Sequence, residues 1–255
     1  MRADHLLVDR GLAASRSQAQ RLIAAGVRWR LGDGAWKAVA KNGEDLREGA
    51  ELQLLDTAET RFVSRGGLKL DAALACTGID VRGWRVLDLG QSSGGFTDCL
   101  LQRGAAAVVG VDVGQGQLHP KLIGDPRVVC IEKCNARDLT EQKLLNAGGE
   151  QAAVPFDLIV GDLSFISQTL VWPAIVPLLK PEASLLMLVK PQFELQPEHI
   201  GKGGLVRDVA SYALVEARIS QACTEQSLVQ RDYFESAITG GDGNREFFVW
   251  ATRST

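Results

Sequence analysis

The stretch Val86-Leu87-Asp88-Leu89-Gly90-Gln91-Ser92-Ser93-Gly94-Gly95-Phe96-Thr97-Asp98 decides the fold. A short apolar run ends at Leu89, a run of Gly and Ser follows, and helix-compatible residues begin at about Phe96. Strand, glycine turn and helix start, in that order, are how an open α/β sheet receives a nucleotide-type ligand at the carboxyl ends of its strands. Glycine at 90, 94 and 95 lets main chain come close to such a ligand, because no Cβ intervenes. A dinucleotide fingerprint, Gly-x-Gly-x-x-Gly, would need glycine at position 92, where serine stands. A ligand without a pyrophosphate fits better.

The next apolar run, Val108-Val109-Gly110-Val111, ends in Asp112. That carboxylate comes roughly 20 residues after the glycine turn, the spacing of an acid that binds ribose hydroxyls. Together the two features resemble the S-adenosylmethionine site of Rossmann-like methyltransferases. The resemblance implies an α/β fold with a mostly parallel seven-stranded sheet, and a cofactor held by Asp88, Gly90, Ser92, Gly94, Gly95, Phe96, Thr97 and Asp112. Further strands are expected over 128–131, 156–162 and 184–190, with two last ones near 230–237 and 246–251. Helices are expected over about 169–179 and 208–225. Asn135, in Glu132-x-x-Asn135-x-Arg137-Asp138, stands where such enzymes contact adenine, or where a polar helix simply begins. Gly201-Lys202-Gly203-Gly204 reads as a flexible loop over the site or as a plain linker.

Composition bounds the remaining possibilities. The 255 residues are 23% charged and 45% hydrophobic, which suits a folded chain of one large domain or two and leaves no room for extended disorder. A formal net charge of -3 excludes a uniformly basic nucleic-acid binder, so any such contact needs a local patch. The amino terminus leads into no apolar region of signal-peptide length, and Pro173, Pro177 and Pro181 interrupt the most apolar late stretch; a cytoplasmic protein with no membrane contact is expected. The five cysteines form no Cys-x-x-Cys pair and His5, His119 and His199 are scattered, so buried free thiols and no metal are expected.

Residues 1–57 read as a separate α+β domain, joined by a linker at 58–64 to a second domain over 65–255. Leu6, Leu7 and Leu12, then Ala19, Leu22 and Ile23, fall at helical spacing, and Ser15-x-x-Gln18 resembles a capping box whose helix stops at Gly26. Short strands around 27–31 and 51–55 flank the tight-turn signal Gly32-Asp33-Gly34. Residues 1–41 carry eight basic against three acidic side chains, a local patch of the kind phosphate binding needs. Arg10-Gly11-Leu12-Ala13-x-Ser15-Arg16-Ser17-x-Ala19-x-x-Leu22-Ile23-x-x-Gly26-Val27 resembles the RNA-binding module named after ribosomal protein S-four, with Arg30-Leu31-Gly32 where that module usually carries Val-Asn-Gly. Arg10, Arg16, Arg21, Arg28 and Arg30, with Arg65 at the junction, are the candidate RNA contacts.

Four polar residues stand at strand ends or helix starts: Lys69, Asp162, Lys190 and Glu246. The set resembles that of the FtsJ-like ribose 2′-O-methyltransferases. With Val63-Ser64-Arg65-Gly66-Gly67, Asp162-Leu163-Ser164-Phe165-Ile166-Ser167, Val189-Lys190-Pro191-Gln192-Phe193-Glu194 and Gly243-Asn244-x-Glu246-Phe247, the chain resembles the TlyA family over essentially its whole length. The resemblance implies S-adenosylmethionine-dependent 2′-O-methylation of cytidine in ribosomal RNA, acting on ribosomal subunits or their precursors. Lys190 would take the hydroxyl proton, Asp162 would position Lys190 and itself sit near the sulfonium as a cofactor contact, Lys69 would orient the hydroxyl, and Glu246 would orient Lys69. The chain begins close to its RNA-binding module and ends just after its last strand, which resembles the short form acting on the large subunit. Competing expectations are a non-catalytic assembly factor, a membrane-active haemolysin and a base methyltransferase; the last usually carries two prolines after the strand-end acid, where this chain has Leu163-Ser164.

Overall fold

Residues 1–13, 15–55, 61–240 and 243–254 are described in a computed structural model. They divide into two compact units, Met1–Arg65 and Gly66–Thr255. The segment expected as a linker therefore groups with the first unit; of it, residues 58–60 lie outside the described residues, as do 56 and 57 of the expected first domain.

In the first unit, Ser15 accepts a hydrogen bond from Gln18 N at 3.3 Å and starts the helix Arg16–Gly26. Gly26 ends it at φ +121, and strand β1 (Val27–Arg30) follows directly. β1 lies between β2 (Lys37–Ala38) and β3 (Glu51–Leu54), antiparallel to both. The chain turns after β1 with Gly34 N donating to Leu31 O at 3.0 Å. Leu6 and Leu7 of the helix Ala3–Asp9 pack with Ala19, Leu22, Ile23 and Val27 into one small core.

The second unit is built on seven strands: β4 (Arg85–Leu89), β5 (Ala107–Val111), β6 (Val128–Ile131), β7 (Phe156–Gly161), β8 (Leu179–Val189), β9 (Leu228–Glu235) and β10 (Phe247–Arg253). Their order is β6-β5-β4-β7-β8-β10-β9. The first five run parallel, and β10 is antiparallel to both its neighbours, giving the expected mostly parallel sheet. Strand order reverses beside β4, whose neighbours are β5 and β7, and that switch point opens a crevice at the strands' carboxyl ends. Leu87, Leu89, Ile159, Leu185, Met187 and Val249 are buried in the core of this sheet with Trp172.

Local differences from expectation have local causes. The helix expected over 169–179 breaks into single turns, Gln168–Leu170, Trp172–Ile175 and Val176–Leu178. Pro173 and Pro177 have no N–H to donate, so each is tolerated only in a first turn. β8 accordingly starts at Leu179, and the last long helix spans Ser211–Glu225. The Gly201–Gly204 segment is a single 3₁₀ turn closed by a bridge between Ile200 and Val206. Cys99 and Cys223 are buried, whereas Cys76 and Cys130 are exposed, contrary to expectation: Cys130 lies on β6, which has a neighbour on one side only. No described helix is long and apolar enough to cross a membrane.

Candidate active site

The site begins with one steric requirement. A Cβ on Gly90 would stand 2.8 Å from the Asp162 carbonyl oxygen, and φ there is +74. Only glycine lets the chain leaving β4 pass so close to the chain leaving β7, where Asp162 N donates to Leu89 O at 3.0 Å. The turn is then drawn toward β5. Asp112 accepts from Ser92 N at Oδ2 and from Gly114 N at Oδ1, both at 2.7 Å. From beneath, Thr97 Oγ1 donates to buried Asp88 at 2.6 Å and accepts from Gln91 Nε2 at 2.9 Å. Burial pushes the Asp88 carboxyl up to about 7, against the Thr97 hydrogen bond that favours its charged form.

These constraints frame a cleft of about 330 Å³, within the size range of small-molecule sites. Gly90, Ser92, Asp112, Asn135 and Asp162 line it together with Val111, Ala136 and Val171. An adenosyl sulfonium suits such walls, with carboxylates for ribose hydroxyls and positive sulfur and aliphatic side chains for a flat base. Asn135 both lines the cleft and caps the 3₁₀ turn Ala136–Asp138, accepting from Arg137 N at 3.0 Å. Asp88, Gly94, Gly95, Phe96 and Thr97 do not line it. They hold the turn from behind: Phe96 stacks on Phe248 with ring centroids 6.4 Å apart, and a Cβ on Gly94 would collide with Leu118 and Leu122.

Two lysine–carboxylate pairs stand beside the cleft. Phe247 pairs with Val189 across antiparallel β10 and β8, so the preceding Glu246 and the following Lys190 leave the sheet at adjacent strand ends. Lys190 Nζ donates to Ser164 Oγ at 2.7 Å and lies 2.6 Å from Asp162 Oδ1. Lys69, on the first turns of the helix Arg65–Thr77, donates to Glu246 Oε2 at 2.5 Å. Lys69 is only 7% exposed and Glu246 3%. Burial raises the Glu246 carboxyl above its usual range; Lys69 opposes the rise, the Asp162 charge adds to it and the Lys190 charge works against it, so the two pairs share one electrostatic environment.

Three residues absent from the expected set complete the surroundings. Ser164 Oγ accepts the hydrogen bond from Lys190 Nζ. Phe165 lines the cleft, is 91% exposed at φ +64, and tilts against Phe193 with centroids 5.1 Å apart. A bulky residue in the left-handed region is uncommon and is tolerated where the surroundings impose it. Glu194 is buried four residues after Lys190. The repeated apolar letters of Asp162–Ser167 give no hint that one of them faces solvent.

The amino-terminal arginines are less uniformly available than their count suggests. Arg10 donates to the carbonyls of Ala50, at 2.5 Å, and Glu48. Arg16 lies 3.3 Å from Asp4, and Arg30 bonds Glu51 at 2.6 Å while stacking over Trp36 at 4.7 Å. Arg28 alternates with Trp29 on β1 and is exposed. Arg21 lies on the helix Arg16–Gly26, and Arg65 opens the helix that runs into the second unit.

Comparison with known proteins adds to this geometry. Residues 62–253 match the family described as FtsJ-like methyltransferase. The Mycobacterium tuberculosis protein named 16S/23S rRNA (cytidine-2′-O)-methyltransferase TlyA is 42% identical over 254 residues, covering 100% of this chain and 90% of that protein. The Campylobacter jejuni 23S rRNA (cytidine-2′-O)-methyltransferase TlyA is 32% identical, over 82% of this chain and 78% of its own. A solved Streptococcus thermophilus structure described as a hemolysin aligns with a TM-score of 0.74 at 35% identity, covering 100% of this chain and 88% of that one.

Proposed function

This chain belongs to the TlyA family of FtsJ-like methyltransferases, and from that premise we propose that it methylates the ribose 2′-oxygen of a cytidine in ribosomal RNA, with Lys190 as the base. The observation that carries the reading is the Lys190 amine, held by Ser164 and Asp162 at the carboxyl end of β8, where both partners also line the cleft. S-adenosylmethionine, the cofactor of the family, supplies an activated methyl group when bound. Gly90, Ser92, Asp112 and Asn135 would hold its nucleoside, and Asp162 would face its positive centre.

A ribose hydroxyl is a very weak acid and a poor nucleophile, so the protein's task is to remove its proton as the new C–O bond forms. Lys190 Nζ, once it has released a proton to solvent and stands as the neutral amine, accepts that proton, with Asp162 and Ser164 fixing where the amine stands. Lys69, held by Glu246, donates to the ribose oxygen and orients it. General-base help of this kind contributes roughly 10²–10⁴ in rate, and alignment contributes more. Phe165 offers an exposed ring on the cleft rim for the target base to stack on, as unpaired RNA bases do on aromatic side chains. The first unit grips RNA phosphates with its basic residues, of which Arg28 is exposed on β1. Both TlyA relatives carry 23S in their names, and a large-subunit cytidine is the target proposed here. On this reading the enzyme works in the cytoplasm, on ribosomal subunits or their precursors.

The test is methylation of purified large and small subunits in parallel, with the modified nucleotide mapped by alkaline hydrolysis. A 2′-O-methyl group blocks cleavage at its own nucleotide, so a gap in the ladder of the large-subunit RNA is expected. Methylated RNA without a gap would assign the methyl to a base.

A further inference from the structure

The chain leaving β7 and the chain leaving β8 are joined by three successive contacts. Lys190 meets Asp162 and Ser164, Phe193 meets Phe165, and Glu194 meets Ser167 and Gln168. The last is the most densely bonded. Ser167 Oγ donates to Glu194 Oε2 at 2.5 Å, and Gln168 N donates to Oε1 at 2.9 Å. Arg218, on the helix Ser211–Glu225, backs the knot: its Nε lies 3.6 Å from Oε2, its Nη1 donates to the Glu194 carbonyl at 2.9 Å, and its Nη2 donates to Ser167 Oγ at 3.3 Å. Glu194 is 4% exposed and does not line the cofactor cleft. Burial pushes its carboxyl up while the Ser167 hydrogen bond opposes the rise, so the site costs desolvation that only good geometry offsets.

Glu194 shares a rigid turn with the base. The helical turn Pro191–Glu194 starts from Lys190, with Phe193 N donating to Lys190 O at 2.9 Å. Across from it, Ser167 follows Ser164 by three residues and Asp162 by five. We propose that Glu194 is the positioning residue of methyl transfer: its carboxylate pins the 162–168 loop to the turn carrying Lys190, and so sets where that amine stands against Asp162 and Ser164. The inference rests on Lys190 being the base, and Glu194 itself touches no reacting atom.

Glu194→Gln keeps the size of the side chain and removes its charge; Ser167→Ala removes one donor and is the milder change. Misplacing a reacting group by about 1 Å costs on the order of 10²-fold, so kcat for ribosomal RNA methylation falls about 10- to 100-fold in E194Q and about 5-fold in S167A. The Kd for S-adenosylmethionine, read by calorimetry, stays within about 3-fold. On a Ser164→Ala background the E194Q change costs less than about 3-fold, because both substitutions break the same arrangement. A second readout needs no RNA: acylation of the Lys190 amine by a water-soluble ester, followed by peptide mass spectrometry on the full chain, changes at least about 3-fold in E194Q. Wild-type kcat together with wild-type labelling in E194Q overturns the proposal, as does a loss that is additive with S164A and tracks the folded fraction. If E194Q does not fold, S167A carries the same two readouts. Altered labelling in a chain whose wild type methylates no ribosomal RNA would sink the substrate reading and leave the pin standing.

Discussion

Lys69–Glu246 and Lys190–Asp162 are chemically the same pair in two different settings. The first is closed: its side chains are 9% and 3% exposed, and the amine donates directly to its carboxylate. The second is more open, at 13% and 24%, and its amine donates to Ser164 while lying beside Asp162. A closed pair satisfied by its own partner is suited to holding another group in place, because breaking it strands a buried charge. An open pair whose donor points at a neutral hydroxyl can exchange a proton at less cost. The difference supports the proposal that Lys69 orients the hydroxyl and Lys190 takes its proton.

The largest expected effect tests that division. Lys190→Ala lowers kcat for ribosomal RNA methylation by about 10²–10⁴, leaves the calorimetric Kd for S-adenosylmethionine within a few-fold, and leaves urea unfolding nearly unchanged. A Lys190→Ala enzyme with substantial kcat would break the comparison outright, moving the base elsewhere.

Lys69→Met sharpens it from the other side. Removing one partner of a buried ion pair costs about 3–5 kcal/mol, because the remaining carboxylate stays buried without its cation. Urea midpoints should therefore fall strongly in Lys69→Met, and partly recover in Lys69→Met/Glu246→Gln, where neither group is charged. Equal unfolding curves for Lys69→Met and Lys190→Ala would show that the two settings do not differ.

The elements that announced themselves in the sequence are those whose signal is local. The Val86–Asp98 turn and Asp112 declare a strand, a glycine turn and a strand-end acid within a short span, and the sheet built around them follows. Lys190 is visible because a lysine directly after an apolar strand has nowhere else to go. Pro173 and Pro177 were equally plain, and give the reason for the broken helix that apolar spacing alone concealed. What was hidden is non-local. Arg10 and Arg16 look like free charge until Ala50, Glu48 and Asp4, distant in sequence or in the neighbouring helix, take up their hydrogen bonds. Asp88 and Thr97 look like ligand contacts until the fold turns them behind the glycine loop. Glu194 gives no sign of burial, since its partners lie on another loop and another helix.

Asp88 extends the comparison to a buried carboxylate that has a hydroxyl partner in place of a cation. Its folded pKa, about 7, lies above the unfolded value near 3.8. The protonated form is thus the one the fold favours: the contribution is fully present below about pH 4 and is lost as pH rises through 7. At 1.36 kcal/mol per unit the whole change is at most on the order of 4 kcal/mol. Asp88→Asn cannot ionise, so its stability relative to wild type should rise between pH 4 and 7 and level off above. A difference that is flat with pH would mean that Asp88 stays charged throughout. Glu246, whose carboxyl is also raised but which has Lys69, should show a smaller effect of the same sign in Glu246→Gln.

The smallest effect concerns the open side alone. Phe165 sits three residues past Asp162 with its ring exposed, so it adds little to folding and is available to substrate. Stacking a base on an aromatic side chain is worth about 1–3 kcal/mol. Phe165→Ala should therefore raise the KM for ribosomal RNA about 10-fold, which is about 1.4 kcal/mol, with the S-adenosylmethionine Kd and the urea midpoint unchanged. Phe165→Trp should retain the wild-type KM because it keeps a stacking face. A fall in cofactor affinity in Phe165→Ala would instead show that the ring, which lines the cleft, serves the cofactor and not the target base, and the open pair would then lack the stacking face that brings the ribose to it.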